Sequence, residues 1–135
     1  MLVQTDSRWA NVPIGNTTIG KSGCLLVCLC MANEILGNPI SPDSLAMQLS
    51  QAGGFRNNGD LLWVVLRNTA SLAWLCLGSA EPVSGLRIVE YGRPNGGSHF
   101  VLEYGTQEFD PNPGTERLGI KSVRCLALID RRGGF

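Results

Sequence analysis

The chain holds one histidine, His99, and five cysteines, Cys24, Cys28, Cys30, Cys76 and Cys125. A thiol acts as a nucleophile when it is ionised or when a base takes its proton, and the base works best when an acceptor orients it. Cys24 differs from the other cysteines in its setting. It follows Gly20-Lys21-Ser22-Gly23 and opens the first apolar run of the chain. A helix starting there would surround the thiol with free backbone amides and the positive end of the dipole, both favouring thiolate. Gly23 would let a substrate backbone come close. Cys28 and Cys30 lie further inside the same run and read as packing residues, which is also the common role of a cysteine taken alone.

His99 lies in Gly96-Gly97-Ser98-His99-Phe100-Val101-Leu102-Glu103-Tyr104. The alternation puts Phe100, Leu102 and Tyr104 on one face of a strand and His99, Val101 and Glu103 on the other. If Gly105-Thr106 is a two-residue turn, Tyr104 pairs with Gln107 and Val101 lies opposite Asp110. His99 is then the diagonal neighbour of Asp110, close enough for the side chains to meet. The same register gathers Phe100, Leu102 and Phe109 on the core face. It also opposes Glu103 and Glu108, which is unfavourable unless something relieves it. Cys24, His99 and Asp110 therefore form a candidate nucleophile, base and orienting acceptor.

Two other chemistries can be read from the same residues. Cys24, Cys28 and Cys30 with Cys76, Cys125 or His99 could be a zinc set, but Cys28 and Cys30 would point to different faces of one helix. Gly20-Lys21-Ser22 lacks the earlier glycine of a phosphate-binding loop, since Gly15 stands at the wrong spacing. No metal and no cofactor is expected.

The elements that must position these residues are helices first and strands after. Residues 1–22 read as an irregular arm punctuated by Asn11, Pro13, Gly15, Asn16 and Gly20. A helix is expected from Cys24 to Leu36, stopped by Gly37-Asn38-Pro39. A second is expected after Ser41-Pro42-Asp43, with Ser41 as cap, ending at Gly53-Gly54. A third runs from about Leu61 to Thr69 behind Asp60. Strands are expected at Ala73–Leu77, Leu86–Tyr91, His99–Tyr104, Gln107–Asp110 and Ser122–Ile129. Residues 131–135 read as a loose tail. This order predicts an α+β domain spanning 1–135, its N-terminal helices packed on a C-terminal antiparallel sheet.

Composition narrows the partners. The 135 residues include 11 Lys+Arg and 11 Asp+Glu, with 44% hydrophobic and 16% charged residues. One folded domain is the prior, and disorder is excluded as the main state. A neutral chain gives no electrostatic case for nucleic acid or an anionic membrane. There is no apolar run long enough to span a bilayer and no secretory signal at the start. An odd number of cysteines, three of them within seven residues, does not read as a disulfide framework.

Over most of its length the chain resembles the papain-like cysteine peptidases related to the bacteriocin-leader (double-glycine) peptidases, in their stand-alone form without a transporter. The resemblance rests on Gln4-Thr5-Asp6-Ser7-Arg8-Trp9-Ala10, on Thr18-Ile19-Gly20-Lys21-Ser22-Gly23-Cys24-Leu25-Leu26, and on Pro42 to Gly54 followed by Asp60-Leu61-Leu62-Trp63. It continues in Gly97-Ser98-His99-Phe100-Val101-Leu102 and Phe109-Asp110-Pro111. The chain departs from the family's usual Thr-Ser behind the nucleophile, where Val27 and Cys28 stand. The resemblance implies a papain-like fold in which Cys24 is the nucleophile, His99 the general base, Asp110 its orienting acceptor and Gln4 a donor to the oxyanion. Asp6 and Trp9 read as structural, one holding a turn and the other anchoring the arm.

The function expected is a thiol hydrolase that cleaves a peptide bond through an acyl-enzyme. Its substrate would be a peptide or protein, and the peptide part of peptidoglycan is the alternative, in a bacterial or phage setting. A non-catalytic papain-like module that binds or assembles within a virion is a further alternative. The location expected is cytoplasm or virion. Gly53-Gly54, Gly96-Gly97 and Gly133-Gly134 read as turn residues, with self-trimming after Gly134 as the alternative.

Overall fold

The computed structural model describes residues 1–62, 65, 72–77 and 85–128, with 72–77 and 127–128 described as backbone alone. The expected tail at 131–135 lies outside these residues.

The arm before Cys24 contains more regular structure than the sequence suggests. Strands β1 (Pro13–Ile14) and β2 (Thr17–Thr18) form a small antiparallel hairpin, and α1 (Ile19–Ser22) adds one turn of helix. The turn at Gly15 has φ +64°, and a Cβ there would come within 2.3 Å of the Arg56 carbonyl oxygen. Glycine is required on both counts. Trp9 and Ile14 are buried and bind the arm to the core. The Trp9 indole donates to the Val3 carbonyl at 2.8 Å, and Asp6 accepts from the Arg8 amide at 2.9 Å, so both serve the fold as expected.

Helix α2 (Cys24–Ile35) is the centre of the molecule. Every residue from Leu25 to Asn33 is buried. A helix apolar on all sides must be surrounded by other elements, and α2 packs on both helix α3 (Pro42–Gln51) and strand β5 (Ser98–Tyr104). Asn33 satisfies its amide by donating to the Leu29 carbonyl at 3.0 Å. Gly37, at φ +81°, ends the run. Helix α3 (Pro42–Gln51) has Pro42 in its first turn and buries Leu45, Ala46 and Leu49. Ser41 occupies the cap position, but its hydroxyl bonds Ser44 Oγ at 2.9 Å rather than a backbone amide. Leu61 bridges Phe55, so it does not begin the third helix. Most of that expected helix lies outside the described residues.

Strands β3 (Leu72–Leu77), β4 (Leu86–Gly92), β5, β6 (Gln107–Phe109) and β7 (Ile120–Leu128) form one sheet in the order β3-β7-β4-β5-β6, with every neighbour antiparallel. Leu86, Ile88, Leu102 and Leu126 join α2 and α3 in the core, with Phe100 and Phe109 packed against it. The result is the mixed helix and antiparallel-sheet architecture expected from the order of the elements. Among the described residues, no helix is long and apolar enough to cross a membrane.

Candidate active site

The β5–β6 hairpin has the register expected from the sequence. Tyr104 pairs with Gln107, Glu103 with Glu108 and Leu102 with Phe109. Gly105, at φ +62°, makes the turn. One step further along, His99 Nε2 and Asp110 Oδ1 are 2.8 Å apart. His99 is only 2% exposed, so a fixed imidazole is held in a dry setting. With Nε2 engaged, Nδ1 is the ring nitrogen left for another partner.

Asp110 is itself held on both oxygens. The Asn112 amide donates to Oδ1 at 2.9 Å, and Arg117 Nη2 donates to Oδ2 at 2.7 Å. Burial alone would raise the Asp110 pKa. The Arg117 hydrogen bond, the Asn112 amide and His99 together outweigh it and hold the carboxyl below its ordinary value. Arg117 also forks onto Glu108 at 2.7 and 2.9 Å and lies 4.8 Å over the Tyr91 ring. Glu103 takes Arg87 at 3.4 Å. The unfavourable Glu103–Glu108 opposition is thus relieved by one cation on each carboxylate. Arg117 escaped the sequence reading because it stands in an irregular stretch before β7, with no spacing that ties it to Asp110.

Cys24 lies at the start of α2 and is partly exposed. Burial pushes its thiol above the ordinary value. The backbone amides of Phe100, Leu25 and Cys24 itself pull it down, as does the charge of Arg93, but they do not cancel the burial. The amides that the sequence leads one to expect are present, and packing of the thiol against the core opposes them. Gly23 is also required by the fold itself. A Cβ there would come within 2.6 Å of the Ile19 carbonyl oxygen and 2.7 Å of its Cγ2, so glycine lets α2 start directly against α1.

Gln4 is 3% exposed. Its backbone N–H donates to the Pro111 carbonyl at 2.9 Å, which ties the arm to the Asp110 segment. Its Nε2 donates to the Gly20 carbonyl at 3.1 Å, and its Oε1 is buried with no partner among the described residues. The Gly20 oxygen fixes which end of the amide is the donor and leaves the second N–H of Nε2 uncommitted.

Gln4, Cys24 and His99 line one cavity of about 680 Å³, a size that holds a small molecule or a short peptide segment. Asp110 reaches it through His99. Cys28 and Cys30 are buried inside α2, and burial raises both thiols strongly. Cys28 Sγ donates to the Phe100 carbonyl at 3.4 Å. Cys125 is buried as well, and the side chain of Cys76 lies outside the described residues. Among the described residues, no group of three His, Cys, Asp or Glu side chains could hold a metal ion. In comparisons with protein-family models, curated proteins and solved structures, no match to the chain was found.

Proposed function

We propose that this protein is a cysteine peptidase of papain-like fold, with Cys24 as nucleophile, His99 as general base, Asp110 as the acceptor that orients the imidazole and Gln4 as an oxyanion donor. The observation that carries the reading is the His99–Asp110 hydrogen bond at 2.8 Å on the wall of a cavity that Cys24 and Gln4 share. In this reading Cys24 Sγ attacks the carbonyl carbon of the scissile peptide bond while His99 Nδ1 takes the thiol proton. The oxyanion accepts from Gln4 Nε2 and from the Cys24 amide. His99 returns the proton to the departing amine, the C–N bond breaks, and an acyl-thioester remains. Water, deprotonated by His99, then releases the acid and regenerates the thiol. Burial raises the Cys24 thiol, so the reading depends on His99 to take its proton.

That same burial favours a second reading, a module that grips a peptide without turning it over. One experiment separates the two. Each cysteine is alkylated with iodoacetamide across pH 5 to 9 and followed by peptide mass spectrometry, in the wild type and in His99→Ala. A peptidase gives Cys24 labelling far faster than Cys28, Cys30 and Cys125, slowed by about ten-fold or more without His99. Labelling of Cys24 that ignores His99 removes the base from the mechanism and leaves the binding module.

A further inference from the structure

The charges of this chain balance, but those around the cavity do not. Five of the 11 cationic side chains line it, against two of the 11 acidic ones, among the described residues. Lys121 and Arg124 face Glu90, at 3.6 and 3.5 Å from its carboxylate, and Ser98 and Ser122 donate to the same group at 2.6 and 2.8 Å. That cluster largely satisfies itself. The excess comes from Lys21, Arg56 and Arg93, none of which makes an ion pair among the described residues. Asp60, the other acid on the wall, takes a hydrogen bond from Asn58 at 3.1 Å. Lys21 stands on α1 just before the nucleophile, Arg56 on the loop that follows α3 and Arg93 on the β4–β5 turn before His99. The helical side and the sheet side of the cavity thus both present positive charge.

A concave wall with a surplus of one sign concentrates ligands of the other and speeds their arrival. Unpaired cations also give a bound carboxylate a direct partner. We propose that the cavity selects peptides that carry carboxylate groups, so that the substrate is an acidic peptide. This inference rests on the peptidase reading for the bond that is broken, and on the cavity charges alone for the preference.

The test uses Cys24→Ala protein and short peptides bearing a neutral dye, with binding followed by fluorescence anisotropy. One peptide carries glutamates with both ends blocked. Its counterparts carry glutamines with both ends blocked, glutamines with a free C-terminal carboxylate, or lysines. The expected result is about ten-fold tighter binding of a carboxylate peptide than of the blocked glutamine peptide at about 0.05 M salt, fading at about 0.5 M. The two carboxylate peptides tell whether side chains or the chain end are recognised. Arg93→Gln and the double variant Lys21→Gln, Arg56→Gln should each shrink the preference without changing the thermal midpoint. Equal binding of all four peptides, tightest binding of the lysine peptide, or a preference untouched by these substitutions overturns the proposal. If acidic peptides bind while Cys24 labelling ignores His99, the charge preference stands and peptide hydrolysis falls.

Discussion

Gln4 is held from two directions, and this makes its role separable from packing. Its backbone is bonded to Pro111 and its side-chain nitrogen to Gly20, so removal of the amide leaves the arm anchored through Trp9. Gln4→Ala should lower kcat for peptide hydrolysis by about 10²–10³, the usual cost of one oxyanion donor, while Cys24 alkylation stays near the wild-type rate. A parallel fall in alkylation would make Gln4 a packing residue. Arg117 makes a different prediction, because it touches Asp110 and not the cavity. Arg117→Met removes the strongest interaction that holds the Asp110 carboxyl down. The Asp110 side-chain carbon resonance should then titrate at higher pH than in the wild type, and an unchanged titration would remove Arg117 from the network.

At the scale of elements, the position of Cys24 depends on how α2 begins. The helix starts directly after α1, at a glycine in contact with Ile19. Gly23→Ala would force its methyl group to within 2.6 Å of the Ile19 carbonyl oxygen, which is backbone and cannot step aside. The expected cost is about 1–3 kcal/mol, measured as a lowered midpoint in urea or heat, with Cys24 labelling altered as the helix start shifts. An unchanged midpoint would mean that α1 and α2 can separate freely. The hairpin is the second positioning element. Its register alone brings Asp110 under His99, so neither residue needs a long loop to reach the other.

At the scale of the whole molecule, Glu90, Glu108 and Asp110 are all held below their ordinary pKa values. For Glu90 and Asp110 burial opposes the shift and hydrogen bonds with cations prevail, while for Glu108 the Arg117 hydrogen bond is the largest influence. Carboxyls whose pKa falls on folding stabilise the native state above the unfolded value and lose that contribution as pH drops through the folded one. Stability should therefore be level at neutral pH and decline once pH falls below about 4, the ordinary carboxyl range. Asp110→Asn should flatten part of that decline. Thermal midpoints measured from pH 7 to pH 2.5 check this, and a midpoint insensitive to acid would contradict the pairing.

The order of helices and strands, the breaks at Gly37 and Gly53, and the β5–β6 register were legible in the sequence, because periodicity and turn residues act over a few neighbours. Cys24 at a helix start and Asp110 within reach of His99 follow from that local information. Other features depend on parts of the chain far apart in sequence. Arg117 reaches Asp110 only after the chain leaves β6 and turns back before entering β7, and Arg87 relieves Glu103 only because β4 lies beside β5. The apolar run after Cys24 announces that α2 is buried, but how far the Cys24 thiol is desolvated depends on what packs there from elsewhere in the chain. Likewise, a chain with no net charge gave no sign that its cations gather on one cavity. Sequence alone determined which groups can react; the tertiary packing decided how far each is desolvated and which charge it faces, since both depend on distances in space rather than along the chain.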